Sequence, residues 1–176
     1  MLKNLSLRFD PVEDRLTLRL VLQPPGEGAP AEHWLHITRR VCAVWRQDLQ
    51  AMVDRSAEAP AASAPPAKAA LSRAHHQAMA SQATVRIEPA ASAPAPEQAP
   101  DLVTQITCGH RRSDGKWVIR FERRNLPSLS LLLSAQTLHA LVDSVSRRIA
   151  SAGWGLNTLP HETKAVELQG TDARLH

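Results

Sequence analysis

Tyrosine is absent from this 176-residue sequence, and two Phe and four Trp make up its whole aromatic complement, so its core must be built largely of Leu, Val and Ile. Cysteine is nearly as scarce. Cys42 and Cys108 stand alone, which excludes a disulfide framework and a CxxC metal site and leaves two small side chains expected to be buried. No apolar run approaches the roughly 20 residues that a membrane-spanning helix needs. Met1-Leu2-Lys3 leads straight into alternating sequence rather than a signal peptide, so a cytoplasmic location is expected.

Catalytic signatures are missing too. There is no phosphate-binding glycine loop, no GxSxG elbow and no HExxH helix, and no cofactor or small-molecule substrate is implied. Ser113-Asp114-Gly115-Lys116 fits S-x-x-K, but that chemistry needs a helical turn to bring Lys beside Ser, and Asp-Gly specifies a hairpin tip instead. His33, His36, Cys42, Cys108 and His110 supply zinc-type donors. Their spacing matches no ligand pattern, however, because His33 and His36 point to opposite faces of a strand and Cys42 lies on the apolar stripe of a helix. His75-His76 is a weaker candidate still, so no metal is expected and the chain reads as a non-enzyme.

Present instead is period-two patterning. Leu5, Leu7 and Phe9 alternate with polar residues, and after Pro11 to Asp14 so do Leu16, Leu18, Leu20 and Leu22. Pairing Asp10 with Arg15 around a four-residue loop sets Phe9 against Leu16, Leu7 against Leu18 and Leu5 against Leu20. A second hairpin is predicted at Asp114-Gly115 as a two-residue type I′ turn. It pairs Ser113 with Lys116, Arg112 with Trp117, His110 with Ile119 and Cys108 with Phe121. One face then holds Ile106, Cys108, His110, Trp117, Ile119 and Phe121, and the other Gln105, Thr107, Arg111, Val118, Arg120 and Glu122.

Each hairpin is followed by a short strand and a helix. Leu35 and Ile37 precede the N-cap Thr38; Leu129, Leu131 and Leu133 precede the N-cap Ser134. From each cap, apolar residues recur at the same offsets: Cys42 with Leu138, Trp45 with Leu141, Leu49 with Val145, Val53 with Ile149. This shared ladder predicts an internal repeat. The expected fold is α+β, with two β-β-β-α units related by a pseudo-twofold axis. Each is a three-stranded antiparallel sheet with one helix across its apolar face, and either a third strand or residues 84–88 is available to join the sheets. At about 50 residues, a unit is near the lower size limit for folding alone, so the two should pack together.

The units occupy residues 1–59 and 101–155. Between them, residues 60–100 form an Ala/Pro-rich linker with fifteen Ala, seven Pro and no Gly. It contains a helix expected at 67–83 and a strand at 84–88 that could edge the second unit. Residues 156–176 are expected to be a flexible tail.

Net charge is +4 and concentrated: residues 1–59 carry eight basic and eight acidic groups, residues 101–153 eight and four. Arg111, Arg112, Lys116, Arg120, Arg123 and Arg124 crowd the second hairpin, where guanidinium groups could track a phosphate backbone or merely keep an edge hairpin soluble. In general plan, duplicated sheet-plus-helix units resemble the Whirly-type single-strand binders, which use four strands per repeat, although no residue motif is shared. Trp34, His36 and Leu132, on the outer faces of the third strands, suggest a protein-binding surface. The function expected first is therefore a protein-binding or assembly module, a bacterial cytoplasmic accessory protein that pairs with itself or another protein. The alternative is single-stranded nucleic-acid binding through the hairpin at 105–124.

Overall fold

The computed structural model describes residues 1–24, 26, 28–56, 65–88, 96 and 99–156. The expected tail beyond Leu156 and most of the linker flanks lie outside the described residues. The fold is α+β. Three helices accompany one mixed sheet of seven strands: β1 (Leu2–Asp10), β2 (Arg15–Leu22), β3 (Ala31–Thr38), α1 (Arg39–Ser56), α2 (Pro65–Ser81), β4 (Arg86–Glu88), β5 (Asp101–Arg111), β6 (Lys116–Arg123), β7 (Leu126–Leu133) and α3 (Ala135–Ser151). Two of the helices pack on the sheet, and α2 packs on α3.

The first hairpin has the register its sequence predicts, from Asp10 opposite Arg15 to Leu5 opposite Leu20. Asp10 closes the loop by accepting hydrogen bonds from the amides of Val12 (2.9 Å) and Glu13 (3.1 Å). The second hairpin departs from expectation. Arg111 pairs with Lys116 and His110 with Trp117, so residues 112–115 form a four-residue loop and Arg112 sits in that loop rather than opposite Trp117.

The reason is local. A type I′ turn needs positive φ at both central residues, but only Gly115 has it, at +66°. Asp114 is instead held by Arg111 Nε (2.8 Å) and accepts from the Lys116 amide (3.3 Å). The register moves by two residues, a full side-chain period, so every predicted face survives. A Cβ at Gly115 would meet nothing within 4 Å. Gly115→Ala should therefore cost only the left-handed backbone strain, about 1 kcal/mol, read as a shift in the urea midpoint with an unchanged slope.

The strand order is β4-β1-β2-β3-β5-β6-β7. The two expected three-stranded sheets are joined edge to edge into one, through β3 and β5, which pair in parallel at Leu35–Asp101 and His36–Leu102. The short strand at 86–88 lies elsewhere than expected, pairing in parallel with β1 rather than edging the second unit. Five strand spacings separate β1 from β7, about 24 Å in a flat sheet, yet their Cα atoms come within 8 Å. The sheet therefore curls.

α3 lies inside the curl, touching β1, β4, β6, β7 and both other helices. It buries residues on every side, from Thr137 through Ile149. α1 packs chiefly on β5, so neither helix is confined to the strands that precede it in sequence. The predicted ladder residues Cys42, Trp45, Leu49, Val53, Leu138, Leu141, Val145 and Ile149 are all core. Trp45 meets Phe121 edge-on at 5.9 Å. Both caps form: the Val41 amide donates to Thr38 Oγ1 (3.4 Å) and the Thr137 amide to Ser134 Oγ (3.2 Å). No helix among the described residues is long and apolar enough to cross a membrane.

Candidate functional site

The outer face of β1–β3 is an ordered polar sheet surface rather than an open apolar one. Antiparallel pairing lines up Ser6, Arg19 and Trp34 in one row and Arg8, Thr17 and His36 in the next. Arg8 and Arg19 lie over the Trp34 ring, 5.8 and 5.7 Å from its centroid. Arg19 is pinned by two 2.9 Å hydrogen bonds to Glu32. His36 is 9 % exposed and 3.5 Å from Glu13. Burial, set against the nearby Glu13 charge, leaves its pKa below the usual imidazole range. Leu132 is exposed, but on β7, three strands away from β3. The expected surface of Trp34, His36 and Leu132 is thus split, because β5 and β6 intervene and arginines cover Trp34.

The basic hairpin is largely neutralised. Arg111 is bound by Asp114, whose carboxyl that guanidinium holds down to about 2. Lys116 is 3.8 Å from the same carboxylate. Arg120 pairs with Glu122 (2.8 Å) on its own strand face. Arg123 binds Asp101 (2.8 Å) and the Pro127 carbonyl (2.8 and 2.6 Å), which braces the β3–β5 junction. Among the described residues, the side chains of Arg112 and Arg124 alone of these six have no such partner. Trp117 is buried, and so cannot share a face with Arg111 and Arg120 as a stacking platform would require.

Three features escaped sequence reading. The first is a groove of about 600 Å³ between α1 and β5, with Val41, Val44 and Trp45 on one wall, residues 104–108 on the other, and Arg40 and Asp48 on its rim. It exists because β3 leaves β5 after Leu102, so among the described residues the β3-facing edge of β5 has no strand partner over residues 104–111. Cys108 lines the groove with its thiol pushed up to about 12, by burial first and by the Asp48 charge second. Burial does the same to Cys42. Both thiols are protonated at neutral pH and neither is an activated nucleophile.

The second is a histidine junction. His139, fully buried on α3, meets Ser56 Oγ with Nε2 (2.7 Å) and His76 Nδ1 with its own Nδ1 (2.7 Å). Ser56 donates its proton to the Val53 carbonyl (2.7 Å) and must therefore accept from Nε2–H of His139. His139 Nδ1 is then the acceptor for His76. The chain links α1, α3 and α2, with Nδ1 of His139 accepting when the ring is neutral. Burial, and then the charges of His76 and His75, lower its pKa to about 4. The apolar residues flanking it, Leu138, Ala140, Leu141 and Val142, are buried too, so this stretch of α3 is enclosed on all sides and an ionisable side chain there needs a partner.

The third is a pocket of about 470 Å³ where α1 ends, α3 begins and the β5–β6 loop turns over both.

No group of three His, Cys, Asp or Glu among the described residues could hold a metal ion. The chain matches no protein-family model, no curated protein and no solved structure.

Proposed function

We propose that the chain is a non-enzymatic assembly module that pairs with a second copy of itself along the open edge of β5. The observation that carries this reading is the strand edge at residues 104–111, which on its β3 side has no strand partner among the described residues and lies beside an apolar groove. Unpaired backbone donors and acceptors at a sheet edge are a template for another strand. The groove adds Val44, 58 % exposed in the middle of α1. Its rim suits self-pairing in particular: Arg40 lies one end and Asp48 two helical turns on, and neither has an ion-pair partner among the described residues. A twofold axis across the groove sets Arg40 of one copy against Asp48 of the other.

Several facts support a binding role over an enzymatic one. Both thiols are protonated, and the imidazole nearest a hydroxyl, His139, is buried with both nitrogens occupied. The nucleic-acid reading has less to rest on, because four of the six cations on the hairpin are already paired. The two free cysteines suit a cytoplasmic setting. We also read the chain as an internal duplication arranged head to tail. Both hairpins close with a four-residue loop whose last residue has positive φ, Asp14 at 50° and Gly115 at 66°, and both helices share cap and ladder.

Charge reversal tests the assembly. Sedimentation equilibrium should show a dimer that Asp48→Arg or Arg40→Asp weakens at least tenfold and the double reversal restores. A monomer at every concentration, or a dimer indifferent to both changes, would refute the reading.

A further inference from the structure

We propose that the pocket between the end of α1, the start of α3 and the β5–β6 loop is a binding site for the phosphoryl group of a small ligand. It is lined by Arg55, Ser56, His110, Arg112, Trp117 and Ala135. Three different elements deliver cationic or hydrogen-bonding side chains to one cavity: α1 brings Arg55, β5 brings His110, and the loop brings Arg112. Among the described residues, no carboxylate lines it. This distinguishes the pocket from the rest of the basic hairpin, where Arg111, Arg120 and Arg123 each have an acid in reach.

Arg112 makes no ion pair or hydrogen bond among the described residues, and Arg55 gives only its Nε to the carbonyl of Ala51 one turn back in its own helix (3.3 Å). Two guanidinium forks facing one cavity repel each other until an anion joins them. The first turn of α3 adds to the same field, since it carries no acidic residue.

The shape of the donor set favours a tetrahedral oxyanion over a carboxylate. Two guanidinium groups and an imidazole approach from separate elements, and a phosphoryl group offers three terminal oxygens where a carboxylate offers two. The cavity is larger than one phosphate requires. Its remaining wall is aromatic, formed by the His110 and Trp117 rings 4.6 Å apart and tilted by 49°, with Trp117 buried to 5 % exposure. A small organic group attached to the phosphate would lie there. The inference does not rest on self-pairing along β5, although His110 belongs to that edge.

Isothermal titration at fixed ionic strength tests it, with inorganic phosphate in one arm and adenosine 5′-monophosphate in the other. One saturable site is expected, weakened at least tenfold by Arg112→Gln and by Arg55→Gln and unchanged by Arg73→Gln on the exposed side of α2. Both pocket arginines are exposed, so the variants should keep the wild-type circular dichroism and melting temperature. Tighter binding of the nucleotide assigns the aromatic wall to an organic substituent, and equal affinities assign the site to free phosphate. The absence of saturable binding in both arms, or binding that survives in Arg112→Gln, overturns the proposal.

Discussion

Phe121→Ala should cost about 3–5 kcal/mol of stability, the range for removing a buried aromatic ring whose surroundings relax only in part. Phe121 is fully buried on β6, paired with Ile106 on one side and Leu129 on the other, and meets Trp45 of α1 edge-on. The lost ring would therefore unseat the contact between helix and sheet as well as leave a cavity. One residue away, Arg120 faces solvent and pairs only with Glu122 of its own strand, so Arg120→Ala should stay within about 0.5 kcal/mol. Urea unfolding of the two variants, compared at constant slope, measures the contrast. Similar losses for both would mean that the two faces of β6 are not divided as described.

Acid should also weaken the fold, and over a defined window. Burial, and then the charges of His76 and His75, lower the pKa of His139 from 6.5 to about 4. Between those values the unfolded chain binds a proton that the folded chain refuses. Stability from this residue is therefore complete above about pH 6.5, falls as pH drops, and is lost by about pH 4. The loss is about 3 kcal/mol. The groups facing His139 sharpen it: His76 and His75 from α2 can only add positive charge, and Ser56 from α1 has already given its proton to Val53. Chemical denaturation at pH 7, 5.5 and 4 should show the decline, and His139→Gln, less stable at pH 7, should show a much flatter one. An equal slope in that variant would place the acid sensitivity elsewhere.

What could be read from the sequence were the features that repeat every two or every three to four residues. Alternating leucines set both faces of β1 and β2, and the ladder from Cys42 to Val53 identified the buried stripe of α1. The second hairpin shows how robust that signal is, since a wrong turn type displaced the register by two residues without exchanging a single face. Contacts without a local period were not legible. The β3–β5 junction consists of backbone pairing at two positions and a buttress from Arg123 to Asp101, and no side-chain pattern announces either. Trp154 follows the last helix in an unpatterned stretch. Yet it is buried, edge-on to Phe9 at 5.6 Å, with its indole N–H on Asp14 (2.6 Å). His139 was hidden for a related reason: it sits between apolar residues, and its partners Ser56 and His76 are remote in sequence.

The placement of α3 across β1 governs the order in which this chain can fold as it is made. Leu5, Leu7 and Phe9 leave the ribosome well before α3 and Trp154, which cover that end of the sheet. Synthesis at about 5–20 residues per second leaves the apolar side of the first hairpin uncovered for several seconds. α1 meets the same delay, since its main support, β5, lies beyond the Ala/Pro-rich segment. The nascent first half therefore carries exposed strands and an unsupported amphipathic helix, the kind of surface that chaperones bind, until the second half arrives to close the sheet over it.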